Sequence, residues 1–370
     1  MRAAAAPTLG TRALVGGPTL TRAAIVLGGG ALLLGLVLVA AVAVGSVGVG
    51  LGDTAAILGR RLLGLPLAES WAPSAETIIF ELRLPRVLTA MLVGGALALA
   101  GTVFQALLRN PLADPYVIGT AAGASLGAVV GIVAPSLLPG LALGAGSAWL
   151  GLGIVQLLAF FGGLGTVLLV YAVARGTGGT PVVTLLLVGY AVSSILAAGI
   201  ALLMFASGRA LGAIFGWLMG SLSGASWADL GFATPLLLIT FVLLLARWRG
   251  LNLLLLGDAP ASHLGLEVER EKLALTTLAT LATSAAVAIS GTIGFVGLVV
   301  PHLLRLTIGP DHRLLLPASL LYGAALLALA DLGARLAGGI PVGIITALIG
   351  APFFIWLLRR SRAVRPMAVP

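Results

Sequence analysis

For about twenty residues at a time this chain carries next to no charge, and an apolar helix of that length crosses the hydrocarbon of a bilayer. Ten such runs can be drawn, at about 23–47, 86–108, 116–134, 149–174, 182–206, 229–246, 272–290, 294–308, 314–334 and 340–358. The eighth is short, and Gly291-Thr292-Ile293-Gly294 interrupts otherwise continuous apolar sequence between it and the seventh. Charged residues make up 9% of the chain and hydrophobic ones 59%, with a mean hydropathy of +1.15; a soluble domain carries about 25% charged residues. Inside lipid every backbone amide and carbonyl has to be satisfied within the protein, which helices do one by one. The chain is therefore predicted to be an all-α, polytopic membrane protein with ten transmembrane helices.

The net charge of +9 sits in short connections and not on a basic face interleaved with polar residues, so nucleic acid is excluded as a partner. Its distribution reads as topology control. With the N-terminus placed inside, Arg60, Arg61, Arg83, Arg86, Arg209 and Arg335 fall outside and the other 15 of the 21 basic residues fall inside. Both termini are then cytoplasmic and the number of spans is even. The six outer arginines run against the bias and need a reason of their own. Arg2, Arg12 and Arg22 precede the first run, whose length exceeds the 7–15 residues of a signal-peptide core, so an uncleaved anchor is expected. The expected organisation is a tail over 1–22, one membrane domain over 23–360 and a second tail over 361–370.

Most catalytic chemistry is excluded. There is no cysteine, hence no disulfide or thiolate site. His263, His302 and His312 lie in three separate regions without metal-ligand spacing; His302 is expected to make a helix-end hydrogen bond. No Gly-x-x-x-x-Gly-Lys-[Ser/Thr] occurs and Lys272 is the single lysine, so this chain holds no P-loop and no cofactor is expected in it. Asp229 and Asp331 lie near helix ends and no acidic ladder crosses the spans, which speaks against the proton relay of an ion-coupled secondary transporter. That rival predicts transport driven by an ion gradient without ATP. The 52 glycines in 370 residues, about twice the usual ~7%, fit helices packed closely in a membrane. A short echo, Ala100-Gly101-Thr102 against Ser290-Gly291-Thr292, hints at an inverted repeat.

Polar chemistry gathers at both ends of the second run. Arg83 and Arg86 stand at one mouth, and Arg109-Asn110-Pro111-Leu112-Ala113-Asp114-Pro115 at the other. The two prolines stop helices and hold the preceding residues out of the α conformation, so the chain breaks sharply there. One reading is a capped loop; the other is a constriction at the inner end of a pathway, with Asn110 and Leu112 pointing inward. Residues 48–80, with Arg60, Arg61 and Trp71, form an outer connection expected to hold an interfacial helix. Residues 247–271 are the longest inner connection and the most charged stretch.

The string RLPR, a glycine-rich helix and QALLRNPLADPYVIG, followed by GFVGLVVPHLLR (294–305), Asp311-His312-Arg313, Ala330-Asp331 with Arg335, and IPVGIITALIGAPFF (340–354), resembles the permease family of ABC importers for iron–siderophore complexes, haem and vitamin B12. The similarity runs in order from about residue 75 to 360. It implies the type II importer fold and a homodimer with a central pathway in the bacterial inner membrane. It also implies two cytoplasmic ATP-binding subunits, which would use ATP and magnesium, and a periplasmic or lipid-anchored substrate-binding protein. Arg83, Arg86 and Arg335 match the family's basic knobs that receive glutamates of the binding protein. Gly257, Asp258, Ala259, Ala261, Leu264 and Gly265, within 249–271, match its pair of coupling helices, although the family more often has glutamate where Asp258 stands. Asn110 and Leu112 match one element of the cytoplasmic gate. The turn from Thr180 to Val183 matches the other, with Val182 and Val183 where small hydroxyl residues are usual. Spans five and ten are expected to line the pathway. The family's substrates are bulky chelates, and the wording of the Asn-Pro-Leu-Ala-Asp-Pro-Tyr segment points to its iron–siderophore and cobalamin branch.

Overall fold

The computed structural model describes residues 19–45, 48–66, 71–137, 153–176 and 179–363. Most of both predicted tails, with Arg2, Arg12 and Arg365, and the first residues of the predicted fourth span lie outside them. Among the described residues the regular elements are helices, besides one isolated bridge between Gly176 and Gly179. In chain order they are α1 (Leu20–Ala43), α2 (Leu51–Leu63), α3 (Pro73–Thr77), α4 (Leu84–Leu107), α5 (Thr120–Leu137), α6 (Ile154–Ala174), α7 (Val182–Ala206), α8 (Leu211–Leu218), α9 (Trp227–Ala246), α10 (Trp248–Leu254), α11 (Asp258–His263), α12 (Val268–Ser290), α13 (Val296–Ile308), α14 (His312–Leu336) and α15 (Val342–Ala363).

A π-helical turn, Ile78–Arg83, joins α3 to α4, so Pro73–Leu107 is one rod of 35 residues. That rod, α1, α6, α7, α9, α12 and α14 are long and apolar enough to cross a membrane, and α5, α13 and α15 are shorter apolar helices. Together they fall one for one on the ten predicted runs. The 13 residues of α13 reach only about 20 Å at 1.5 Å per residue, and the predicted interruption is real: Gly291 and Phe295 both have positive φ, at 68° and 69°. Within the connection expected to hold an interfacial helix lies α2, which carries Arg60 and Arg61 in its last turn and is closed by Gly64 in the left-handed region. An ion pair from Arg61 to Glu76 ties it to α3. Helix α8, which seals Ile214 against Val129 and Val133 of α5, has no counterpart among the predicted elements.

The rod ending in α4 is the centre of the bundle, with 89% of its span buried, whereas only 11% of α7 and 22% of α1 are buried. Small residues decide this, because without a hydrophobic drive between helices in lipid, close backbone approach carries the packing. A Cβ at Gly101 would lie 1.8 Å from the Gly297 carbonyl oxygen, and one at Gly94 would lie 2.3 Å from that of Gly323. These two contacts press α4 onto α13 and α14. The Ala-Gly-Thr and Ser-Gly-Thr echo has no common structural meaning: Gly101 is inside α4, while Gly291 ends α12. The helices alternate in direction, so one end of the bundle collects the C-terminus of α1, the start of α4 and the C-terminus of α14. The opposite end collects the C-terminus of α4, the start of α7, and α10 and α11.

Candidate functional site

At the first end, α1 stops at Ala43 with its last carbonyls unpaired, as every helix does. Arg83 Nη1 donates to Val42 O at 3.0 Å and to Ala43 O at 2.9 Å, and Arg335 donates from Nη2 to Ala41 O at 2.9 Å and from Nη1 to Val44 O at 3.2 Å. Two guanidinium groups thus cap one helix C-terminus, where positive charge is favoured. Asp331, fully buried on α14, ties Arg335 to Arg86. Arg86 donates from Nε to Oδ1 at 3.0 Å and to Oδ2 at 3.1 Å, and from Nη2 to Oδ1 at 2.8 Å. Arg335 Nε lies 3.1 Å from Asp331 Oδ2, close enough for an ion pair but not aligned as a hydrogen bond. Three of the arginines expected to run against the charge bias therefore meet in one cluster that holds α1 to α4 and α14.

At the other end, α4 closes with Arg109 in the left-handed region at φ 47°. Asn110 N donates to Gln105 O at 3.1 Å and Arg109 N to Ala106 O at 3.2 Å, the pair of bonds of a Schellman motif, in which glycine usually takes the place of Arg109. Two Asx turns follow, each with proline at its second position. Asn110 Oδ1 accepts from Leu112 N at 3.0 Å and Asp114 Oδ1 from Tyr116 N at 2.9 Å. Each side-chain oxygen takes the place of the backbone carbonyl of a β-turn. The turn then re-enters the bundle: Gly119 packs on Thr166 and Ser193, and Thr166 lies eight residues, about 12 Å, inside the end of α6. Tyr116 OH donates to Ile293 O at 3.0 Å and accepts from Ile293 N at 3.2 Å, closing the break between α12 and α13.

Between α9 and α12 the charged connection folds into α10 and α11. Gly257 separates them at φ 106°, ψ 164°, a conformation open essentially to glycine alone. Lys272 on α12, its side chain 7% exposed, places Nζ 2.6 Å from Asp258 Oδ2 and 3.6 Å from Glu269 Oε1. Glu269 Oε2 in turn accepts from Thr180 Oγ1 at 2.8 Å, in the turn that precedes α7. Arg247 and Glu271 are ion-paired at 2.5 Å. Ala261 is buried under the pair, while Leu256 and Leu264 project into the open. On α10, Asn252 donates to Asp311 Oδ1 at 3.0 Å and accepts from the backbone N of His312 at 3.0 Å, with His312 Nδ1 2.6 Å from the same oxygen. Burial raises the Asp311 carboxyl, but hydrogen bonds from Arg313 and Asn252 outweigh it and hold the group below the ordinary carboxylate range.

A family model described as the FecCD transport family matches residues 32–360. This chain belongs to the FecCD family. Among FecCD relatives, the cobalamin import system permease protein BtuC of Halobacterium salinarum is 43% identical over 303 residues, covering 82% of this chain and 78% of that one. The hemin transport system permease protein HmuU of Yersinia pestis is 41% identical, covering 82% and 90%. The Fe(3+) dicitrate transport system permease protein FecD of Escherichia coli is 41% identical, covering 77% and 86%. A solved structure described as an inward-facing conformation of a metal-chelate type ABC transporter superposes with a TM-score of 0.76 at 33% identity, covering 90% of this chain and 99% of that one.

The FecCD fold thus brings Arg83, Arg86 and Arg335 together at one end, and at the other sets Asn110 and Leu112 in an Asx turn. Gly257, Asp258, Ala259, Ala261, Leu264 and Gly265 lie in and around α11. Val182 and Val183 open α7, Val183 being exposed and Val182 half-buried. His302 makes no helix-end hydrogen bond: it sits inside α13 beside the Pro111 carbonyl without meeting hydrogen-bond geometry. His312 makes that bond in its place. The sequence reading missed Asp331 as the hub of the arginines, and Lys272 and Glu269 between α11 and Thr180. The signal for Lys272 was its singularity, since a lone lysine at the foot of a span is buried only when paired with carboxylates.

Proposed function

We propose that this chain is the membrane permease of an ABC importer and carries a bulky chelate, an iron–siderophore, haem or cobalamin, by ATP-driven alternating access. Family membership supports the transport class. The observation that carries the reading is the α10–α11 pair. It is a rigid, ion-paired foot whose exposed leucines, Leu256 at 53% and Leu264 at 61%, suit the groove of another protein, and it stands beside the two turns that would gate the pathway. Two copies of an ATP-binding subunit would close on that foot and supply the hydrolysis that this chain has no P-loop to perform. A second copy of the permease would complete the pathway across α7 and α15, which expose Leu187, Tyr190, Ile195, Leu348 and Ile355. Both termini would be cytoplasmic in a bacterial inner membrane.

Asn110 and Leu112, with Val182 and Val183, would form the inner gate. At the outer end, Arg86 and Arg335 around Asp331, with Arg83 beside them on the end of α1, leave net positive charge, and the Arg86 side chain is 18% exposed. That charge suits acidic residues of a binding protein and would steer its encounter. The internal bonds of Arg83 and Arg335 add a consequence: a docked carboxylate would compete for groups that cap α1, so docking would be felt by that helix. Reconstitution with the ATP-binding subunit and binding protein should give ATP-dependent uptake of one of these chelates. Uptake that persists with a hydrolysis-dead ATP-binding subunit sinks the reading.

A further inference from the structure

Helix α9 leaves Leu238, Ile239, Val242 and Leu243 exposed. Steps of three and four residues place them on one side of the helix, and the exposed Ala246 continues that side into the last turn. Only Arg247, at φ −97° and ψ 13°, parts α9 from α10. Arg249, exposed on α10, therefore lies within about one turn of the foot of this apolar stripe. Beside it the half-buried Trp248 carries two guanidinium groups over its ring: Arg249 Cζ lies 5.2 Å from the ring centroid and Arg313 Cζ 4.6 Å. Arg313 comes from the first turn of α14, so the group is assembled from two helices. Arg313 is paired with Asp311, Nη2 to Oδ2 at 2.7 Å, and Arg247 with Glu271. Arg249 makes no ion pair among the described residues.

We propose that Trp248, Arg249 and Arg313 form a headgroup site for an anionic phospholipid in the leaflet at this end of the bundle, with its acyl chains along the exposed stripe of α9. The inference goes beyond the import reading and does not rest on it. Both halves of an amphiphile find their counterpart here: hydrocarbon beside Leu238, Ile239, Val242 and Leu243, and phosphate beside the arginines at their foot. Tryptophan at such a level is at home between the two, with an apolar ring and a polar edge. A guanidinium over an aromatic face uses its flat side there and keeps its N–H edge for hydrogen bonds, a fork that matches two phosphate oxygens. Arg249 and Arg313 together exceed Asp311 by one positive charge. A zwitterionic lipid would bring its own cation against that excess, whereas an anionic one neutralises it. The exposed leucines of the foot, Leu256 and Leu264, belong to a different surface and stay available to a protein partner.

Trp248 itself is the reporter. The full chain is reconstituted in phosphatidylcholine vesicles that contain a minor, equal share of either phosphatidylglycerol or phosphatidylcholine brominated near the top of its acyl chains. Subtracting Trp248→Phe isolates the Trp248 signal from the other tryptophans. Bromine quenching should show phosphatidylglycerol preferred at this ring at least fivefold. One arginine beside an anionic headgroup is worth about fivefold in occupancy, so Arg249→Gln should lower the preference by about that factor and Arg249→Lys should recover part of it. Arg270→Gln removes an equal charge from the same end of the bundle, at a side chain 84% exposed, and should leave the preference intact. Equal quenching by the two lipids overturns the site. A preference that survives Arg249→Gln, or that Arg270→Gln lowers as much, belongs to diffuse surface charge and also overturns it. If Arg249→Gln instead abolishes co-purification with the ATP-binding subunit and leaves quenching unaltered, the face is a protein contact and the proposal fails. Should Trp248→Phe not fold, unfolding midpoints in detergent replace quenching. Added phosphatidylglycerol should then raise the midpoint of the native chain, and Arg249→Gln should lose at least half of that rise; a rise retained in full overturns the site.

Discussion

Asp331 is the residue whose removal tests the arginine cluster most sharply. Asp331→Asn keeps the shape and one acceptor but removes the charge on which Arg86 places three close contacts and Arg335 a fourth. Breaking a buried pair from one side costs about 3–5 kcal/mol, because the remaining charge is left uncompensated. The Arg86 side chain is 18% exposed and that of Arg335 9%, so water recovers part of this and about 2–4 kcal/mol is expected. At about 2 °C for each kcal/mol in a chain of this size, the unfolding midpoint falls by roughly 4–8 °C. The six tryptophans report that transition by fluorescence in detergent. The control is Glu267→Gln, which breaks the pair with Arg270 whose side chains are 84% and 67% exposed and costs at most about 0.5 kcal/mol. A midpoint for Asp331→Asn within about 1 °C of that control, the spread expected of exposed pairs, refutes the cluster as the clasp on α1.

Identical substitutions at two glycines should move stability in opposite directions. Gly101→Ala forces α4 off α13 and costs about 1–3 kcal/mol, while Gly165→Ala, with nothing within 4 Å of the new methyl, gains about 0.5–1 kcal/mol of helix stability; thermal unfolding reads both. Asp311 has a folded pKa below its unfolded one, so its contribution is present above the ordinary carboxylate value of about 4 and is lost as pH falls through and below it. Asp311→Asn, which retains a helix-capping side chain, should flatten the acid limb of the stability profile below about pH 5. Leu264→Glu places a charge on the exposed face of the foot; co-purification with the ATP-binding subunit should fall at least tenfold while the unfolding midpoint stays within about 1 °C, as expected of an exposed position.

The break after α4 was legible because its chemistry is local: Pro111 and Pro115 stop the helix. The two Asx turns were not read, although the side-chain oxygens of Asn110 and Asp114 each accept from a backbone N–H only two residues along. The two short helices of the foot were legible only through the family resemblance, and it is the structure that parts them at Gly257, φ 106°. The role of Arg83 and Arg86 was not legible. Arg83 finds its acceptors 40 and 41 residues away and Arg86 its carboxylate 245 residues away, so no window of sequence shows that Arg83 caps α1 or that Arg86 pairs with Asp331.

Hydrophobic length belongs to each segment alone, and a bilayer demands that each spanning segment satisfy its own backbone. The all-helical class, the ten runs and their approximate limits therefore follow from reading along the chain. Which helix lies at the centre does not, because in lipid every span is apolar and the choice is made by matching small-residue faces, Gly101 on Gly297 and Gly94 on Gly323. The same holds for Lys272. Its neighbours in the chain, Glu269 among them, mark it as the base of a helix, but only the approach of α11 sets Asp258 against it and only the turn before α7 brings Thr180 to Glu269.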